Sequence, residues 1–159
     1  MLQRPMALRF FFHRVLSITS RHPAPSLSFI SRNLSTNMTE GKFNVIQFDN
    51  LKEKLLNHDI ILIDVREPSE LKDDGKIPNS VNIPLGQIVD AFKMTGSEFQ
   101  SKYGIAKPDA EKKPFVLSCR SGKRATDASQ KLCNLGYNNI EIYSGSFLDW
   151  VKNGGLVEK

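Results

Sequence analysis

Cysteine is scarce in this chain: 159 residues contain two, Cys119 and Cys133. Two are too few for a disulfide framework, and they show no paired metal-ligand spacing, so both are expected to be thiols in a reducing compartment. Acidic residues are missing from one whole stretch. Residues 1–37 hold Arg4, Arg9, Arg14, Arg21 and Arg32 and no Asp or Glu, so the formal charge of +5 is local. Without those five, 17 of the 22 cations remain and balance the 17 acids of the body. With the body formally neutral, nucleic-acid binding loses its main support. Long apolar runs are also lacking in the leading stretch: arginines interrupt each one, and none approaches the roughly 20 residues that span a bilayer. No membrane span is expected.

What the leading stretch does contain is arginine, serine and a helical spacing of Leu8, Phe11, Phe12, Val15 and Leu16. Arg-rich, Ser-rich and acid-free composition is the pattern of a mitochondrial transit peptide. Residues 1–37 are therefore expected to be a matrix-import address, largely disordered, with 38–159 as one folded domain. Met38 stands just past the address, and initiation there would give a cytosolic form.

The body holds the remainder of a chain that is 40% apolar, enough to bury a core. From Phe43 onward, short β-branched runs alternate with amphipathic segments, as in an α/β sheet covered on both faces. "FNVIQF" predicts a first strand, and Asp49 a cap for a helix through "NLKEKLLNH". "DIILIDVR" carries four consecutive apolar residues, Ile60 to Ile63, the mark of a strand buried on both faces. Pro68 opens a short helix "PSELKDD" that Gly75 ends, and "SVNIPL" is the next strand. "GQIVDAFKMTGSEFQSKYGI" reads as two helices divided near Thr95 and Gly96, the second capped by Ser97. "KPFVLS" is a buried strand, "ATDASQKLCNLG" a helix closed by Gly136, "NIEIYS" a strand, and "SFLDWVKNGG" a terminal helix.

One cysteine falls where such sheets bind ligands, in the loop that leaves a strand's carboxyl end and enters a helix. Cys119 follows "FVLS" directly, and the next helix starts near Lys123 to Ala125. Unpaired amides of the first turn and the helix dipole put partial positive charge there. Arg120, Lys123 and Arg124 add formal cations, and Gly122 lets the backbone curl with its amides inward. Such surroundings favour the thiolate, which is the nucleophilic form of cysteine. Cys133 lies at the edge of the stripe Ala125, Ala128, Leu132 and Leu135; it reads as a structural residue, with a resolving thiol as the other reading. His58 precedes a strand on a polar turn and makes no case for a Cys–His dyad. Lys76 and Trp150 read as a solvated turn lysine and a core aromatic.

Two chemistries use a cysteine in an anion cradle: phosphoryl transfer through a cysteinyl phosphate, and sulfur transfer through a cysteinyl persulfide. Phosphatases place five residues between Cys and Arg and a His before the Cys. Here Ser118 precedes Cys119 and four residues precede Arg124. The shorter ring suits one sulfur atom.

At these residues the chain resembles the rhodanese family, in particular its small single-domain thiosulfate sulfurtransferases, over about residues 43–155. "IDVREPSEL", "GKIPNSVNIPL", "CRSGKRA" and "YSGSFLDWVKNG" are similar to four family motifs in order, with Lys76 in place of the usual His and Ser146 in place of a Gly. The resemblance implies a rhodanese-like α/β fold: a five-stranded, mainly parallel sheet with helices on both faces. It implies Cys119 as the persulfide nucleophile, loop amides of residues 120–124 that stabilise the sulfur, and Arg120, Ser121, Gly122, Lys123 and Arg124 around the donor. Thiosulfate would be the donor and glutathione, thioredoxin or, in vitro, cyanide the acceptor, without metal or cofactor. Asp64 and Arg66 end the neighbouring strand and have two readings, support for the cysteine loop or a structural ion pair. A rhodanese-like regulatory module without turnover is the alternative from a different class.

Overall fold

The structure is a computed structural model that describes residues 43–159. The expected import address and the expected start at Met38 lie outside the described residues. In chain order the elements are β1 (Asn44–Val45), α1 (Phe48–Leu56), β2 (Ile61–Asp64), α2 (Pro68–Asp74), β3 (Ser80–Asn82), α3 (Ile88–Lys93), α4 (Gly96–Tyr103), β4 (Phe115–Ser118), α5 (Lys123–Cys133), β5 (Ile140–Ile142) and α6 (Ser146–Lys152). The five strands form one sheet in the order β1-β5-β4-β2-β3, and every strand pair in it is parallel. An isolated antiparallel bridge, Lys76 with Glu158, ties the C-terminal tail to the turn after α2.

β2 and β4 lie inside the sheet, and their sequences "ILID" and "FVLS" carry no polar residue before the last position because both faces are covered. Alternation sorts their side chains. Ile63, Phe115 and Leu117 join a core with Ala91, Phe99 and Leu132 of α3, α4 and α5. Leu62 and Val116 point the other way, to Leu51 of α1 and to Phe147 and Trp150 of α6. Burying each such side chain stabilises the fold by about 1.5–3 kcal/mol, which is why these short strands hold.

The helix ends differ from the sequence reading in two places. α1 begins after Gln47, which makes no side-chain cap, so Asp49 lies inside the first turn, where its charge still meets the helix dipole. Thr95, not Ser97, caps α4: its hydroxyl accepts from the Glu98 amide at 3.3 Å, and the Glu98 carboxylate accepts from the Thr95 amide at 2.8 Å. That reciprocal pair was legible as "TGSE", Thr followed three residues later by Glu. α2 starts with Pro68 after Glu67 and stops at Gly75, whose φ of 86° few other residues adopt.

Candidate active site

Parallel pairing sets Asp64 opposite Ser118, so the carboxyl ends of β2 and β4 finish side by side. Cys119 leaves β4 there and is 1% exposed. Three residues on, Gly122 takes φ 94° and forms the N-cap of α5. That turn brings its amide onto the cysteine, and the Gly122 N–H donates to Sγ at 3.0 Å. The 11-residue α5 then points its positive end at the same sulfur.

α6 holds the loop from behind. The Phe147 amide donates to the Cys119 carbonyl and the Leu148 amide to the Arg120 carbonyl, each at 3.0 Å. Ser146, fully buried with φ 54°, accepts from the Cys119 amide at 3.1 Å and donates to the Tyr143 carbonyl at 2.7 Å. Its hydroxyl lies 3.9 Å from Sγ. The sequence reading noted Ser146 only as a departure from a motif glycine. Nothing local in the sequence shows that its hydroxyl reaches a residue 27 positions away.

The loop cations divide. Arg120 donates to Asp74 at 2.8 Å, and Arg124 makes a forked contact with Glu70 at 2.5 and 2.7 Å. Among the described residues Lys123 has no ion pair, and its side chain is exposed. The Arg124 hydrogen bond pulls Glu70 from its ordinary 4.5 to about 2, and Glu70 in turn holds Arg124 well above the usual arginine value, with a smaller contribution from the Cys119 sulfur. The sequence did carry a signal for this arrangement: Glu70 and Asp74 are one helical turn apart and share a face. Ser121 is exposed at the outer rim.

Asp64 and Arg66 are 1% and 0% exposed. Arg66 donates to Asp64 through its backbone amide at 3.0 Å and through Nε and Nη2, the latter at 2.7 Å. Nη2 also reaches the Gly75 carbonyl at 2.9 Å, and the guanidinium lies 4.2 Å from the centre of the Phe147 ring. Among the described residues no hydrogen bond joins either side chain to residues 119–124. Trp150 is a core residue whose indole N–H donates to the Leu156 carbonyl at 2.7 Å, and Lys76 is a half-exposed partner of Glu158. Cys133 ends α5, whereas Cys119 precedes its start; 11 residues at about 1.5 Å each separate them by roughly 16 Å. That excludes Cys133 as a resolving thiol for Cys119 in the same folded chain.

Gly122 permits no side chain. A Cβ there would run into the Ser144 carbonyl, and φ 94° is strained for any other residue. Gly122→Ala is expected to displace the amide from Sγ and lower activity at least about tenfold, with the core intact; steady-state rates beside a thermal melt will check it.

The fold and the loop define a class: a doubly covered parallel sheet presenting a buried cysteine at a strand-to-helix turn with an amide on its sulfur. Within that class the chain belongs to the family of the rhodanese-like domain, whose model matches residues 47–153. It is similar to the thiosulfate:glutathione sulfurtransferase of Saccharomyces cerevisiae, 41% identical over 110 residues, 68% of this chain and 78% of the yeast protein. A second yeast relative, the mitochondrial thiosulfate sulfurtransferase RDL2, is 38% identical over 95 residues, 60% of this chain and 62% of that protein. Among solved structures, the human single-domain sulfurtransferase TSTD1 aligns with a TM-score of 0.64 at 31% identity, covering 70% of this chain and 97% of the human one. The chain is a rhodanese-type sulfurtransferase.

Proposed function

We propose that the chain is a thiosulfate:thiol sulfurtransferase that carries sulfur as a persulfide on Cys119. The observation that carries this reading is the Gly122 amide 3.0 Å from the buried Cys119 sulfur at the mouth of α5. The Cys119 thiolate attacks the outer sulfur of thiosulfate. A Cys119–sulfur bond forms as the bond between the two thiosulfate sulfurs breaks, and sulfite leaves with that electron pair. An acceptor thiolate such as glutathione then attacks the outer sulfur and leaves as a persulfide, returning the Cys119 thiolate. The acceptor thiol's proton is released to solvent. This is covalent catalysis in two displacement steps, and the loop amide and helix dipole face the sulfur whose charge changes.

The names of the yeast relatives support thiosulfate as donor and glutathione as acceptor. RDL2 is named as mitochondrial, and together with the Arg-rich leader this supports a mitochondrial site of action in sulfide or persulfide metabolism. Sulfite appearing in step with glutathione consumed, in purified protein given thiosulfate, is the expected result; no sulfite above the protein-free control sinks the reading.

Lys123 is the loop cation we assign to donor capture, because Arg120 and Arg124 are each tied to an acid of α2. Lys123→Ala is expected to raise KM for thiosulfate about threefold to tenfold and leave kcat near the parent value, the pattern of a lost ground-state contact. Initial-rate curves over thiosulfate concentration separate the two constants.

A further inference from the structure

The turn from β5 into α6 is tied more heavily than a short connection needs. The Tyr143 amide donates to the Leu117 carbonyl of β4 at 3.0 Å, and the Tyr143 carbonyl accepts from the Ser146 amide at 3.1 Å and the Ser146 hydroxyl at 2.7 Å. Its side chain is tied as well. The phenol belongs to a residue only 1% exposed and donates to Asp149 Oδ2 at 2.6 Å. The Asp149 side chain lies across the turn, so close to Gly145 that a Cβ there would run into it. Among the described residues Asp149 makes no ion pair, so its carboxylate serves the phenol. Burial and that carboxylate hold the Tyr143 hydroxyl well above the usual tyrosine value, and it stays a donor.

This clasp closes the surface on which the cysteine loop rests. Ser146 receives the Cys119 amide at 3.1 Å, and the Phe147 and Leu148 amides hold the Cys119 and Arg120 carbonyls at 3.0 Å. The Ser144 carbonyl abuts Gly122, whose amide lies 3.0 Å from Sγ. Ser146 does its part at φ 54°, and a residue other than glycine stays in that region only where its surroundings hold it. Tyr143 stands before it in the chain and Asp149 after it, so their bond spans the strained residue.

We propose that Asp149 is a positioning residue, whose hydrogen bond with Tyr143 clasps the turn 143–146 against the cysteine loop and so keeps the Gly122 amide on the Cys119 sulfur. The inference rests on Cys119 being the reactive thiol of the proposed function. One of its readouts is therefore taken without any sulfur donor.

The test compares the full-length protein with Asp149→Ala, Asp149→Asn, Tyr143→Phe and the double variant Tyr143→Phe with Asp149→Ala. Amide hydrogen exchange, followed residue by residue by NMR, is expected to quicken about tenfold at Cys119 and Gly122 in Asp149→Ala and in Tyr143→Phe, with Leu62 and Ile63 of β2 unchanged. Turnover of thiosulfate with glutathione is expected to fall about tenfold in kcat while KM for thiosulfate stays within about threefold, the pattern of misplaced reacting groups. Both residues act through one bond, so the double variant is expected to be no slower than either single one. Asp149→Asn keeps an oxygen for the phenol and is expected to recover most of both effects. Unchanged exchange at Cys119 and Gly122 overturns the inference, as does a quickening that includes Leu62 and Ile63. Unmoved kcat in variants of an active parent overturns it too, and so do additive losses or an Asp149→Asn as impaired as Asp149→Ala. If Asp149→Ala fails to fold, Tyr143→Phe decides by the same criteria, since it removes one oxygen and keeps the buried ring. A local rise in exchange beside a parent chain without thiosulfate turnover would remove the proposed function and leave the clasp standing.

Discussion

Cys119→Ser is expected to abolish sulfur transfer, lowering turnover at least about a thousandfold. The serine oxygen would occupy nearly the sulfur's place, under the Gly122 amide, so the loop and the fold persist. What is lost is the proposed nucleophile. An alkoxide is out of reach near neutral pH, so the serine oxygen does not displace sulfite from thiosulfate. Intact-mass measurement after thiosulfate exposure is expected to show the mass of one added sulfur atom on the parent chain and none on the variant, with equal melting temperatures. An added sulfur on Cys119→Ser, or residual turnover within tenfold of the parent, would move the chemistry elsewhere in the chain.

Arg66→Ala is expected to have the largest effect on stability, about 3–5 kcal/mol. Arg66 and Asp64 are 0% and 1% exposed, and the forked bonds between them are the carboxylate's compensation for leaving water. Removing the guanidinium leaves the buried Asp64 carboxylate with only the backbone amide of residue 66, strips the Gly75 carbonyl of its donor and opens a void against Phe147. Against a total stability of typically 5–15 kcal/mol, that is enough to unfold a large share of the molecules at physiological temperature. Replacing both partners together with apolar residues of similar volume is expected to be milder than the single change, because no uncompensated charge remains. Urea unfolding of the parent, the single and the double variant gives the comparison. A stable Arg66→Ala with little activity would return the pair to the chemistry instead of the scaffold.

Parts of this site were legible before the fold was known. A buried strand, a cysteine, a glycine and a helix start lie within nine residues, 115–123, so local geometry alone delivers the sulfur to a helix N-terminus. The count of four residues between Cys119 and Arg124 is likewise a property of the chain. Capping was read unevenly. Pro68 and Gly75 act through backbone preferences that do not depend on neighbours, whereas Asp49 and Ser97 compete with other residues for the same end, and Gln47 and Thr95 hold those positions.

The sequence by itself determined which cysteine stands between a strand end and a helix start, the alternation that builds a doubly covered parallel sheet, and the location of the surplus charge in residues 1–37. Only the tertiary structure decided how the three loop cations are used. Arg120 and Asp74 are 46 residues apart in the chain, and Arg124 and Glu70 54. They meet because β2 pairs with β4, which sets the helix after β2 beside the loop after β4. Spacing within a chain specifies contacts over a turn or two, where the backbone fixes distance. Contacts across a sheet depend on strand order, and strand order is settled by which apolar faces bury together.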